Sequence, residues 1–159
     1  MTARSLATAT LLALMLPGCT TSAPTPAAAP VEYFPSPQTA LRSLPFSEAV
    51  RAGELLYLSG QIGNAPGTLE LVPGGIVPEA RQALENIRAV LERHGSSLGD
   101  VVKCTVFLAE IKEWPAFNDV YRQYFTHNLP ARSALAASGL ALGARVEVDC
   151  LAHVSGPKP

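Results

Sequence analysis

The sequence predicts an α+β fold in which two helices cover one face of a single sheet. Two segments, about residues 78–94 and 114–125, carry apolar side chains at helical spacing. Alternating, strand-like runs lie on both sides of each, and a Pro- and Ala-rich stretch confines the folded domain to residues 46–154.

The elements follow in order. Ala49-Val50-Arg51-Ala52-Gly53-Glu54-Leu55-Leu56-Tyr57-Leu58 reads as a hairpin turning at Ala52-Gly53-Glu54, with Gly60 breaking the second strand. A Gly/Pro-rich surface loop spans residues 64–75. In the first helix Ala80, Ala83, Leu84, Ile87, Val90 and Leu91 form one stripe, with Pro78 in the first turn and Gly95 as the stop. A strand at about 101–108 sets Val102, Cys104, Val106 and Leu108 against Lys103, Thr105 and Phe107. The second helix starts near Trp114-Pro115, its stripe being Phe117, Val120, Tyr121, Tyr124 and Phe125. Short strands follow at 132–137 and 145–154, the latter alternating Val146, Val148, Cys150 and Ala152 with Glu147, Asp149 and Leu151. The expected order is β-β-α-β-α-β-β. One sheet face then carries Lys103, Thr105, Phe107, Glu147, Asp149 and Leu151, a mixture that suits a subunit interface holding a polar pocket better than open solvent.

The first 45 residues are read as address and spacer. Arg4 precedes an apolar run over residues 6–16, too short for the roughly 20 residues a membrane-spanning helix needs. Leu16-Pro17-Gly18-Cys19 resembles a bacterial lipobox, which would make Cys19 the lipidated first residue of the mature chain; a plain secretory signal ending nearby is the alternative. Residues 20–45 are rich in Pro, Ala, Ser and Thr and are expected to form a disordered tether, with residues 155–159 as a tail. The expected location is periplasmic, on an outer-membrane lipid anchor, with no other membrane contact.

A formal net charge of −1 and 16% charged residues leave no basic stripe for nucleic acid. No Ser-His-Asp set, phosphate loop or metal-ligand spacing is present in the sequence, and His94, His127 and His153 read as solvated or capping residues. Cys104 and Cys150 lie in apolar runs and are read as two buried free thiols. Export would also permit a disulfide, which needs their Cα atoms within about 7 Å. Arg132 stands out at the entrance of an apolar strand, after Leu129-Pro130-Ala131. A guanidinium so placed needs an anion with matching fork geometry, either a ligand carboxylate or an internal partner such as Glu147 or Asp149. Glu147, flanked by Val146 and Val148, is the second candidate, with a structural carboxylate as its alternative role.

Taken together, several motifs resemble the RidA (YjgF) family over residues 46–154. They are Leu58-Ser59-Gly60-Gln61-Ile62, Val72-Pro73-Gly74-Gly75-Ile76, Arg81-Gln82-Ala83-Leu84-Glu85-Asn86-Ile87, Thr105-Val106-Phe107-Leu108, Phe117-Asn118-Asp119-Val120-Tyr121, Pro130-Ala131-Arg132-Ser133 and Arg145-Val146-Glu147-Val148. The resemblance implies a chorismate-mutase-like α+β fold, two-layered, assembled as a homotrimer around a central barrel with ligand pockets between subunits. It implies hydrolysis of small reactive enamines and imines, such as 2-aminoacrylate and 2-iminopropanoate, to ketoacids and ammonia, with no metal or organic cofactor. Arg132 would clamp the substrate carboxylate and Glu147 would hold or activate water. Gly60 and Asn118 would line the pocket. Two positions depart from the family pattern: Phe46 stands where a Tyr is usual, and Ala134 where a Cys is usual. Both make the pocket more apolar. The alternative on the same fold is a non-catalytic module that holds a small carboxylate or ketoacid.

Overall fold

The computed structural model describes residues 30–154. The expected signal over residues 1–19 with Cys19, the first part of the tether and the tail at 155–159 lie outside the described residues. The elements are β1 (Val31–Phe34), α1 (Thr39–Arg42), β2 (Ala49–Ala52), β3 (Leu55–Leu58), β4 (Gln61–Ile62), α2 (Ile76–Arg93), β5 (Val101–Leu108), α3 (Trp114–Tyr124), β6 (Ala131–Ala136) and β7 (Val146–His153). One mixed sheet runs β1-β2-β3-β7-β5-β6, with β4 also paired to β7. Among the described residues only the β5–β6 pair is parallel, and the other strand pairs are antiparallel. The result is a two-layer α+β domain, as expected.

Helices α2 and α3 pack on one sheet face. In α2 the stripe Ala80, Ala83, Leu84, Ile87, Val90 and Leu91 is buried, and Phe117 and Val120 of α3 join it over Val106, Val146 and Val148. Each large side chain so buried stabilises the fold by roughly 1.5–3 kcal/mol. Gly75 precedes α2 at φ 80°, a left-handed conformation that suits glycine. At the other junction Arg145 binds Glu113 through two nitrogens, at 2.7 and 3.0 Å, while its backbone N–H donates to the buried Glu79 at 2.7 Å. These bonds tie the start of β7 to the starts of both helices.

The tether expected over residues 20–45 is corrected in its second part. Val31–Phe34 forms an edge strand whose residues pair from Val31↔Ala52 to Phe34↔Ala49. Phe34 stacks on His94, with ring centroids 4.3 Å apart. His94 and Arg93 both bind the buried Glu48, at 3.0 and 3.1 Å. A run of prolines and alanines had masked a four-residue strand whose partner supplies the ordering energy. The expected β-β-α-β-α-β-β order therefore gains β1 and α1 in front, and Gln61–Ile62 continues past Gly60 as β4.

The two cysteines are likewise corrected. Cys104 and Cys150 face each other across the β5–β7 ladder on the same buried face, and they form a disulfide with Cα atoms 4.1 Å apart. Free thiols were expected because sequence does not show register; the register brings the two side chains together.

Candidate functional site

Sheet register decides which candidates can meet. Residues paired directly across a ladder share a face. Arg132 pairs with Cys104, which pairs with Cys150, so Arg132 projects on the helix side. Glu147 pairs with Phe107, which pairs with Leu135, so Glu147 projects from the opposite face. Within one chain, Arg132 and Glu147 are separated by the sheet. The internal ion pair to Glu147 or Asp149 considered above is therefore not formed. Among the described residues, Arg132 takes part in none of the ion pairs.

What holds Arg132 is aromatic. Its guanidinium lies 4.5 Å from the Tyr121 ring centroid, 4.7 Å from that of Trp114 and 6.0 Å from that of Phe117. One nitrogen donates to Asn118 Oδ1 at 2.8 Å. Such stacking orients the fork without neutralising it, leaving the positive charge for an incoming anion. Burial pushes the Tyr121 hydroxyl up to about 12, against the opposing pull of Arg132, so the phenol stays neutral beneath the cation. Arg132, Asn118 and Tyr121 line an open depression of about 460 Å³, with Leu129 and Pro130 on its rim. The helical spacing of α3 puts Asn118 and Tyr121 three residues apart on the side that meets β6. Tyr121 was read only as a core aromatic; its helical position signalled burial and nothing more.

The second group sits across the sheet. A Cβ placed on Gly60 would overlap the Glu147 carboxylate, with Glu147 Cδ at 2.8 Å and Cγ at 2.9 Å. Only a glycine lets this backbone approach the acid so closely. The Glu147 pKa is raised, first by burial and then by the neighbouring charge of Asp149. A carboxyl group with raised proton affinity suits proton exchange with water. Phe46, 55% exposed, lies on the segment that joins this region: Ser47 and Glu48 accept hydrogen bonds from Ser59, beside Gly60, at 2.7 and 3.0 Å. The candidates thus form two groups, Arg132 with Asn118 on one face and Glu147 with Gly60 on the other. Ala134 belongs to the Arg132 face, two residues along β6.

The profile of the family described as endoribonuclease L-PSP matches residues 37–154. The chain belongs to this family. It is 48% identical over 113 residues to a goat protein named 2-iminobutanoate/2-iminopropanoate deaminase, covering 71% of this chain and 82% of the goat protein. Among solved structures it is similar to RidA from an Antarctic Psychrobacter species, 32% identical with a TM-score of 0.72, covering 77% of this chain and 99% of that one. It is also similar to Escherichia coli TdcF with bound serine, 32% identical with a TM-score of 0.66, covering 70% of this chain and 89% of that one. The resemblance to RidA read from the motifs is borne out.

Proposed function

We propose that this chain hydrolyses small 2-imino acids and their enamine tautomers, of the 2-iminopropanoate and 2-aminoacrylate type, to 2-oxo acids and ammonium. The observation that carries the reading is the uncompensated Arg132 guanidinium, held by Trp114, Tyr121 and Asn118 and open to a carboxylate. The name of the goat relative and the serine held by TdcF support it, since both concern small amino-acid-derived carboxylates.

The chemistry asks little of the site. Arg132 binds the substrate carboxylate and fixes the imine carbon. Glu147 takes a proton from water as its oxygen bonds to that carbon, giving a carbinolamine. Return of the proton to nitrogen lets the C–N bond break; as the nitrogen leaves as ammonia, Glu147 takes the hydroxyl proton, the C–O bond becomes a ketone, and the proton passes on to the ammonia. The iminium ion and one water yield the 2-oxo acid and ammonium, with no redox change. Because Arg132 and Glu147 lie on opposite faces of one sheet, a site using both takes them from different chains. A homotrimer with pockets at its subunit boundaries meets that demand, and we propose this assembly.

The rival reading is a module that holds a 2-oxo acid on Arg132 without turnover. Phe46 favours it by removing the hydroxyl usual in the family. Ammonia release from freshly generated 2-iminopropanoate separates the two. Arg132→Ala should lower kcat/KM by about a hundredfold or more, the scale for truncating a buried charge partner. Equal rates with and without Arg132 would defeat deamination of this substrate.

We propose that the domain works outside the cytoplasm on a lipid anchor at Cys19. The lipobox-like Leu16-Pro17-Gly18-Cys19 and a disulfide between Cys104 and Cys150 both support export to an oxidising compartment. Palmitate labelling should disappear in Cys19→Ala; labelling that persists would refute the anchor.

A further inference from the structure

We infer that the apolar depression beside Arg132 is a subsite for the substrate's side chain. The preferred imines would then derive from amino acids with branched or aromatic side chains rather than from alanine. The inference rests on the proposed role of Arg132 as carboxylate clamp. Ala134 lies two residues beyond Arg132 on the same face of β6, about 6.6 Å along the strand. It lines a depression of about 450 Å³ with Ile111, Lys112, Trp114 and Pro115. Trp114 stands between the two places: its ring centroid is 4.7 Å from the guanidinium, and the same side chain is among those that line the depression.

The walls set the chemistry of the occupant. Ile111, Trp114, Pro115 and Ala134 offer hydrocarbon and ring surface, and Ile111 is 57% exposed. The Lys112 ammonium stands 3.7 Å from Glu110, on a side chain 77% exposed, and reaches solvent along the rim. A polar substituent entering here would lose water without regaining hydrogen bonds, whereas an apolar one would gain by leaving water. The methyl group of 2-iminopropanoate leaves most of the depression unfilled. The isobutyl group of a leucine-derived imine, or the benzyl group of a phenylalanine-derived one, covers more of its apolar walls. Alanine at position 134 keeps the floor open.

The full chain is assayed on imines generated in place from L-alanine, L-leucine and L-phenylalanine by an amino-acid oxidase. Leucine- and phenylalanine-derived imines should have kcat/KM at least about tenfold above the alanine-derived imine, the scale for a few buried methylenes. In Ala134→Leu, the leucine-to-alanine ratio should fall by about tenfold. Calorimetric binding of 4-methyl-2-oxopentanoate against pyruvate repeats the comparison without turnover, so it decides even where the variant does not fold. Turnover of the alanine-derived imine with no preference for larger ones overturns the subsite and leaves the deaminase reading standing. No turnover of any imine, with 4-methyl-2-oxopentanoate bound more tightly, does the reverse. Equal binding of both oxo acids overturns the subsite whatever the rates.

Discussion

Arg132 and Glu147 occupy two regions built on opposite physical plans. The Arg132 region grows from the helix-packed side, where Trp114, Phe117 and Tyr121 can surround a guanidinium while Asn118 fixes one nitrogen. The Glu147 region grows from the uncovered side, where a glycine at position 60 lets backbone approach a carboxyl group. Its charge is conditional, because burial and Asp149 both favour the protonated acid. The lesson is a division of labour. A packed core gives a rigidly held guanidinium, and a half-open face gives a titratable group; in the proposed function neither region alone is a site.

The largest expected effect comes from cutting the link between these regions. Cys104 neighbours Arg132 across the β5–β6 ladder, and Cys150 lies on the strand that carries Glu147. Their disulfide closes a loop with a sequence separation of 46 residues, which on chain entropy alone is worth about 4 kcal/mol. A Cys104→Ala, Cys150→Ala double variant should lose stability on that scale in a denaturant titration. An unmoved midpoint would show that the crosslink adds nothing.

A smaller effect tests the conditional charge. Asp149→Asn removes the like charge that raises the Glu147 pKa, so the acid limb of the kcat/KM profile should move to lower pH. The stability sign follows as well. Folding favours protonated Glu147, so its contribution is complete at low pH and is lost as pH rises through the folded-state pKa. The variant should reduce that loss. An acid limb that stays put or moves upward would exclude Glu147 as the group that titrates in turnover.

Much of this was legible in sequence where periodicity was long. The stripe from Ala80 to Leu91 specified α2, and alternation from Val146 to Ala152 specified β7 and the outward face of Glu147. The family motifs pointed to Gly60, and its contact with the Glu147 carboxylate gives the physical reason. Short and register-dependent features were hidden. Val31–Phe34 is a strand only because β2 offers its edge, and a four-residue alternation within prolines carries little signal. The disulfide and the separation of Arg132 from Glu147 both depend on which residues pair across ladders. Sequence alternation tells which residues of a strand share a face, but not how two strands align.

We propose that one working site takes Arg132 from one chain and Glu147 from another. Arg132→Ala and Glu147→Gln chains, each inactive alone, are mixed one to one, unfolded and refolded together. In a closed ring of three equivalent boundaries, about one quarter of sites would then receive both intact residues, and that fraction of wild-type 2-iminopropanoate hydrolysis should return. A mixture that exchanges chains, as seen by native mass spectrometry, yet stays inactive would contradict it.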